Sequence, residues 1–356
     1  MTRRLFLSSL PALHALTASE SGLPSEAEHY PDPATEFEVT RLTAPSHTSR
    51  LPPYYSHAIS RKNTFLVYTS DRTGTPQAYR MDLKTFQSFP LTNAAALIPD
   101  SLALGMDDKV FLYADGKTVY SSSLSNLRHK PVYEAAEGCM IGNVSIADDG
   151  THCFVVENGG GASRLRTLRL MGNGPAGEVE SPEPISNPIP RPKRAGILYR
   201  RGGDLWLVNY DGAQNRRLRL AAGGLGPAVW SADGRTILYL SFPEGGKQLN
   251  NIREFDPDSN EDRAVANTSQ YVHFGRNADA SVFVGASGSK ASPYVLLLVR
   301  SVKRELALCE HRSSNAAEVA PIFSANSQRV FFHSDRHGKR AIYSIRVERL
   351  VEETDS

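Results

Sequence analysis

An internal repeat of about 44 residues constrains the fold of this chain more than any other feature. The copy that begins at Ser60 carries a second serine ten residues later and a tyrosine nineteen residues later, and the copy that begins at Ser324 repeats both intervals. Further copies begin at positions 106, 147, 231 and 277, so the successive gaps are 46, 41, 84, 46 and 47 residues. The gap of 84 residues is twice 42, which predicts a seventh, degenerate copy near position 189.

Each copy contains short apolar runs bounded by Asp-Gly or related turns, as residues 65–68 and 237–240 illustrate. Such runs indicate strands that are covered on both faces, which a single unit of this size cannot achieve alone. Seven units of this length are typical of a β-propeller, and no segment has sustained helical spacing of apolar residues. We therefore predict an all-β fold, a seven-bladed β-propeller of four-stranded antiparallel blades. Residues 37–43 are predicted to complete the last blade and close the ring.

The N-terminal residues predict a targeting segment. Arg3 and Arg4 precede an apolar stretch that runs to Leu16, and small residues follow at Ala18 and Ser19. This order is typical of a twin-arginine export signal, although a frayed terminus with two chance arginines is the alternative. We predict an export signal over residues 1–19, a flexible polar leader over 20–35 and a single propeller domain over 36–350. The protein is therefore expected to be periplasmic or secreted by a bacterium.

Composition excludes several classes of protein. The chain has 40 Lys and Arg against 38 Asp and Glu, with no basic run that includes aromatic residues, so we expect no nucleic-acid partner. No apolar stretch approaches the roughly 18 residues of a membrane span. The three cysteines form no Cys-x-x-Cys pair, and buried free thiols are preferred to a Cys139–Cys153 disulfide. Six prolines between positions 172 and 194 predict a long surface loop.

Several motifs resemble those of a known family. The turns at residues 70–74 (SDRTG), 231–234 (SADG) and 334–338 (SDRHG) resemble the TolB-like propeller repeat. The segments at 41–43 (RLT), 54–57 (YYSH) and 309–314 (CEHRSS) narrow the resemblance to the oligogalacturonate lyase family. That family implies a seven-bladed propeller that cleaves short pectin fragments by β-elimination. The resemblance covers most of residues 36–348.

The resemblance also implies a metal site. Family members are expected to place histidines and one glutamine in loops before the first strand of successive blades, where a divalent metal neutralises the uronate carboxylate. We call the ligand position in each of these loops a slot. His273 occupies a slot, six residues before Asp279. The family pattern H-x-H-P is replaced here by Glu318-Val319-Ala320-Pro321, and Asn315 stands in the glutamine slot. We expect His273, Glu318 and Asn315 to bind Mn, Ca or Mg; a hydrogen-bonded structural histidine is the alternative for His273.

The catalytic base is not evident, because Pro227 stands where the resemblance implies a basic histidine. Arg72 and Arg336 belong to the repeated SDRxG turn, which favours a structural role. The candidate substrate-binding residues lie outside that turn: Arg253, Arg276, Tyr55 and His57.

Two functions follow from these observations. The resemblance favours an exported enzyme that cleaves oligogalacturonides, or another uronate glycan, by metal-assisted β-elimination. The alternative is a non-catalytic TolB-like propeller that binds a protein or glycan on its channel face, and the missing histidines at Pro227, Glu318 and Ala320 support it.

Overall fold

The computed structural model describes residues 22–172, 174–245 and 248–354, and it confirms the all-β, seven-bladed propeller. Strands β1 (Glu28–Pro31) and β2 (Glu38–Arg41) come first in the chain but belong to the last blade. Within the described ranges the only helical elements are two short 3₁₀ turns, Pro99–Ser101 and Ala316–Glu318. No helix among these residues is long and apolar enough to cross a membrane. The predicted export signal lies outside the described residues.

The first three blades follow one another along the chain. Blade one consists of β3 (Ser49–Arg50), β4 (Phe65–Ser70), β5 (Gln77–Asp82) and β6 (Ser88–Pro90). Blade two consists of β7 (Ala103–Leu104), β8 (Val110–Asp115), β9 (Thr118–Ser123) and β10 (His129–Glu134). Blade three consists of β11 (Met140–Ile146), β12 (His152–Gly159), β13 (Ala162–Arg169) and β14 (Gly174–Ser181).

The next three blades have the same order. Blade four consists of β15 (Ile185–Pro190), β16 (Gly196–Arg201), β17 (Asp204–Asn209) and β18 (Arg216–Arg217). Blade five consists of β19 (Gly224–Trp230), β20 (Ile237–Phe242), β21 (Asn251–Phe255) and β22 (Asp262–Asn267). Blade six consists of β23 (Tyr271–Arg276), β24 (Val282–Ser287), β25 (Tyr294–Val299) and β26 (Arg304–Glu310).

Blade seven is assembled from both ends of the chain. Its strands β27 (Ile322–Phe323), β28 (Arg329–Ser334) and β29 (Ala341–Arg346) are followed in the sheet by β2 and then by β1. Val39 of β2 pairs with Ile345 of β29, which confirms the predicted closing strand. The prediction of a flexible leader over 20–35 is wrong for β1, because these residues form an edge strand on β2.

The repeat corresponds to one hydrogen-bonded turn between the first two strands of every blade. We call the residue at which each copy of the repeat begins its anchor. The backbone N–H of the anchor donates to the carbonyl five residues later, at 2.7–3.0 Å. The seven anchors are Ser60, Gly105, Ala147, Arg191, Ser231, Asn277 and Ser324. The predicted degenerate anchor near 189 is therefore Arg191, and the second anchor lies one residue before its predicted position. The recurring serine is explained by its hydroxyl, which in Ser60 accepts the N–H of Phe65 at 3.0 Å.

The proline-rich segment is a correction to the sequence analysis. Residues 172–194 do not form one long loop, because β14 and β15 occupy most of them. Proline is tolerated where a strand has an edge without hydrogen-bond partners. β14 is the outermost strand of blade three and β15 the innermost strand of blade four, so each has such an edge.

The core lies between the blades. Apolar side chains of neighbouring sheets interdigitate, and the largest fully buried ones are aromatic residues that recur from blade to blade, such as Tyr68, Tyr199, Tyr239 and Tyr343. The three cysteines are free thiols, as predicted. Burial of Cys153 raises the pKa of its thiol to about 12, so this residue behaves as an inert core side chain.

Candidate functional site at the mouth of the channel

The innermost strands β11, β15, β19 and β23 define the direction of the channel. Residues near the starts of β15, β19 and β23 line one cavity, of about 420 Å³, and residues near the ends of all four strands line another, of about 810 Å³. We name the two cavities the His273 mouth and the Arg276 mouth, after two residues of β23.

The two cavities are separated by residues 51–58, which we call the channel segment. Arg50 pairs with Thr69 and Ile59 with Leu66 on β4. The eight residues 51–58 therefore lie opposite only two residues of β4, 67 and 68. Most of the excess bulges out of the sheet. Tyr54 of this segment lines both cavities. Tyr54 therefore lies between the two cavities.

A β-bulge occurs near the start of four innermost strands. The pairing register of β11, β15, β19 and β23 with the second strand of each blade shifts at this point. Such bulges bend a strand and redirect its side chains. Three residues at slots identified in the sequence line the same cavity: Pro227, His273 and Ala320. Asn187, which the sequence did not single out, lies at the irregularity of β15 and lines this cavity as well. The ring thus brings equivalent positions of blades four to seven together.

His273 is almost fully buried in the wall of its mouth, with 5% of its surface exposed. Its Nδ1 atom is buried without a hydrogen-bond partner, and its ring meets Tyr54 edge to face at 4.8 Å between centroids. Burial, assisted by the neighbouring His333, lowers the pKa of His273 to about 3. The imidazole is therefore neutral at neutral pH.

His333 is a cavity residue that sequence analysis missed. Its Nε2 atom accepts the backbone N–H of Leu51 at 2.8 Å, which ties the channel segment to β28. Burial and the positive charge of Arg50 lower the pKa of His333 to about 4. The available signal was a histidine at the end of an otherwise apolar run, residues 330–333.

Three arginines that no sequence motif indicated line the same mouth: Arg50, Arg200 and Arg340. Arg340 forms an ion pair with Glu318, and Arg200 donates to the backbone carbonyls of Leu225, at 3.3 Å, and Gly226. In the described part of the chain, no carboxylate lies within ion-pair distance of Arg50. With both histidines neutral, three guanidinium groups outnumber the two carboxylates of the lining, Asp100 and Glu318. The cavity therefore carries excess positive charge.

The predicted metal ligands do not come together as a metal site. His273 and Glu318 share the cavity, but Asn315 does not line it. Its Oδ1 accepts the N–H of Ala317 at 3.1 Å and caps a 3₁₀ turn. Throughout the described ranges, no group of three or more His, Cys, Asp or Glu could hold a metal ion. Glu318, already paired with Arg340, is a poor ligand as well, so these residues do not fit a divalent cation.

The predicted substrate-binding residues do not share the His273 mouth. Arg276, Tyr55 and His57 line the Arg276 mouth instead. Arg276 donates to the carbonyl of Trp230 at 2.8 Å and to that of Asn277 at 2.9 Å, so backbone carbonyls hold part of its guanidinium. His57 pairs with Asp108, with 3.3 Å between Nε2 and Oδ1.

Arg253 lines neither mouth. Its Nε donates to Oδ1 of Asp262 at 2.9 Å, between β21 and β22. Its residue type was suited to a carboxylate, but the carboxylate that it binds belongs to the neighbouring strand. The structure therefore assigns Arg253 to the outer half of blade five.

Comparison with known proteins extends these observations. No protein-family model matches the chain. An oligogalacturonide lyase of Pectobacterium atrosepticum is 22% identical over 386 residues, covering 93% of this chain and 98% of the relative. An oligogalacturonate lyase of Dickeya dadantii is 21% identical, covering 89% and 95%. The solved structure of an oligogalacturonate lyase in complex with manganese superposes with a TM-score of 0.83 at 21% identity, covering 92% and 97%. The relationship thus extends over nearly the whole propeller and is not confined to the repeat.

Proposed function

We propose, from the premise that this chain belongs to the oligogalacturonate lyase family, that it acts on short galacturonide fragments of pectin at the His273 mouth. The observation that carries the proposal is the convergence of equivalent slots from four blades on one cavity with excess positive charge. A galacturonide carries a carboxylate on every sugar. A cavity with unpaired guanidinium charge attracts such a ligand.

The proposed reaction is a β-elimination. A base removes the C5 proton, which is α to the carboxylate, a C4–C5 double bond forms, the C4–O4 bond breaks, and the leaving oxygen takes a proton. Positive charge beside the carboxylate stabilises the enolate-like intermediate. We assign the base to His273, because this residue lines the cavity and its Nδ1 atom has no hydrogen-bond partner. A bound uronate would add negative charge nearby and raise the pKa of the imidazole towards the working range of a base.

Manganese is present in the solved relative but enters no step of this proposal. The finer hypothesis of a metal held by His273, Glu318 and Asn315 would need Asn315 to leave its cap and Glu318 to leave Arg340. The reaction is therefore derived from the residues of the chain alone.

The test is an elimination assay. The unsaturated product of digalacturonate absorbs near 235 nm, and we expect the wild-type protein to produce it. His273→Ala should lower the rate about 100-fold or more, because a general base contributes at least that much. His152→Ala, in blade three away from the cavity, is the matched control and should leave the rate unchanged. An unchanged rate in His273→Ala would contradict the assignment of the base.

Binding without cleavage is the second candidate, and Pro227 is the observation that favours it. This residue lines the cavity at the slot where the resemblance implies a basic histidine, and it can accept no proton. A protein partner on the channel face belongs to the same alternative. Calorimetry with digalacturonate that detects binding, together with no increase in absorbance near 235 nm, would favour a binding protein. Recovery of one stoichiometric protein from periplasm would favour the protein partner.

We also propose that the protein is exported. The support is the pair Arg3 and Arg4 ahead of an apolar stretch. Fractionation of bacteria that express the full chain should recover it in the periplasm or medium. The double variant Arg3→Lys/Arg4→Lys should retain it in the cytoplasm. Equal export of both forms would contradict the twin-arginine assignment.

A further inference from the structure

We propose that the guanidinium of Arg340, held by Glu318 and flanked by Arg50, occupies the role of a metal ion and neutralises the substrate carboxylate. This chain would then bind galacturonides without a divalent cation. The inference rests on the proposed function for the identity of its ligand. It goes beyond that function in stating what supplies the positive charge.

The residues concerned form one wall of the His273 mouth at the seam between blades seven and one. Glu318 ends a 3₁₀ turn before β27, and Arg340 directly precedes β29. The N–H of Ser49 donates to the carbonyl of Arg340 at 2.8 Å, so the next residue, Arg50, follows directly beside it. His333 belongs to the same wall, because its N–H donates to the carbonyl of Val319 at 2.8 Å. The wall is thus built by backbone hydrogen bonds between three segments.

The residue types at positions 318 and 320 suit a guanidinium and not a metal. Neutral imidazole is a good ligand for a divalent ion, whereas a guanidinium needs a carboxylate acceptor. Position 318 carries a glutamate, which is paired with Arg340. Position 320 carries an alanine, which has no donor atom and leaves space in the cavity. Neither position therefore supplies a histidine ligand, and the glutamate at position 318 holds the guanidinium of Arg340 in place.

The charge balance of the wall favours an additional anion. Arg50 and Arg340 are like charges that lie close together, and burial with the charge of Arg50 lowers the pKa of the Arg340 guanidinium. Glu318 is the single carboxylate in ion-pair contact with Arg340 within the described residues. Arginine has five N–H donors in a planar fork, so one ion pair leaves donors for a second carboxylate. A divalent cation would be repelled by the same two groups.

The experiment is calorimetric titration of the full chain with digalacturonate, once with EDTA and once with added Mn²⁺. We expect the Kd to agree within about twofold between the two conditions. Arg340→Gln should weaken binding about 10-fold or more in both, because a charge-assisted hydrogen bond is lost. Arg346→Gln is the matched control; it lies at the other end of β29, is exposed, and should bind as the wild type does.

Three outcomes separate this inference from the proposed function. Binding that requires Mn²⁺ and disappears in EDTA would overturn the inference and leave the proposed function intact. An unchanged Kd in Arg340→Gln would overturn it as well. The absence of binding under every condition would overturn the proposed function, and the inference with it.

A second variant, Arg50→Gln, tests the inference if Arg340→Gln does not fold. Circular dichroism checks the fold of each protein before titration. Arg50→Gln removes the neighbouring charge without unpairing Glu318, and we expect it to weaken binding several-fold. Metal analysis of the purified protein is an independent readout, for which we expect less than stoichiometric divalent metal. Retention of one equivalent would contradict the inference.

Discussion

Two histidines at the His273 mouth have pKa values that differ from those they have in water. His273 and His333 are both buried and have lowered pKa values, about 3 and about 4. The unfolded chain binds a proton at each histidine below pH 6.5, whereas the native protein does not until the pH is far lower. The part of the folding stability that depends on these two histidines is therefore complete above pH 6.5 and falls as the pH decreases.

This difference predicts a pH-dependent stability. At pH 5 each of the two histidines should cost the native state roughly 2 kcal/mol relative to pH 7. His273→Gln removes one of these titrations, so its free energy of unfolding should fall less than that of the wild type between pH 7 and pH 5. Urea unfolding at the two pH values measures the difference. A variant that loses as much stability as the wild type would show that His273 titrates normally in the native protein.

At the scale of single elements, β1 is the strand that sequence reasoning misassigned. The polar composition of residues 20–35 indicated a leader, but an edge strand needs few apolar residues. Asp32, which is 1% exposed, fixes the strand: one carboxylate oxygen accepts the N–H of Thr35 at 3.2 Å and the other that of Glu310 at 3.1 Å. The second bond joins residues 278 positions apart, which no local pattern reveals.

Asp32→Ala tests this role. The variant leaves part-buried backbone donors without acceptors and removes the buried carboxylate near Arg336, so we expect a loss of about 2–4 kcal/mol in the free energy of unfolding. Glu38→Ala, whose side chain in β2 is 70% exposed, is the matched control and should change stability by less than about 0.5 kcal/mol. Equal effects of the two substitutions in thermal or urea unfolding would contradict the anchoring role of Asp32.

At the scale of the whole molecule, one strand closes the ring. β2 pairs with β29 through three residues, and Val39 and Leu42 are completely buried. Without it, the edge of β29 and the apolar face of blade seven would be exposed. An open edge of this kind invites aggregation.

A truncation measures the contribution of closure. A chain that begins at residue 44 lacks β1 and β2, and we expect it to unfold at a much lower temperature or to aggregate. A chain that begins at residue 20, after the predicted export signal, is the control and should unfold cooperatively at the wild-type temperature. A stable, monomeric truncated chain would show that the other six blades hold the ring without the closing strand.

The sequence by itself determined the number of blades, their order and the closing strand. These features depend on intervals and apolar runs that are local in the chain, and a unit that cannot bury both faces must stack on its neighbours. The same intervals placed the blade-six anchor at Asn277 and the slot residue His273.

Only the tertiary structure decided which side chains share the site. Arg50, Arg200, His333 and Arg340 belong to blades one, four and seven, and ring closure alone brings them to His273. Conversely, Asn315 and Arg253 have suitable residue types, but nearby partners hold them elsewhere. Residue type is local information, whereas the direction of a side chain and the charge beside it depend on contacts between segments far apart in the chain.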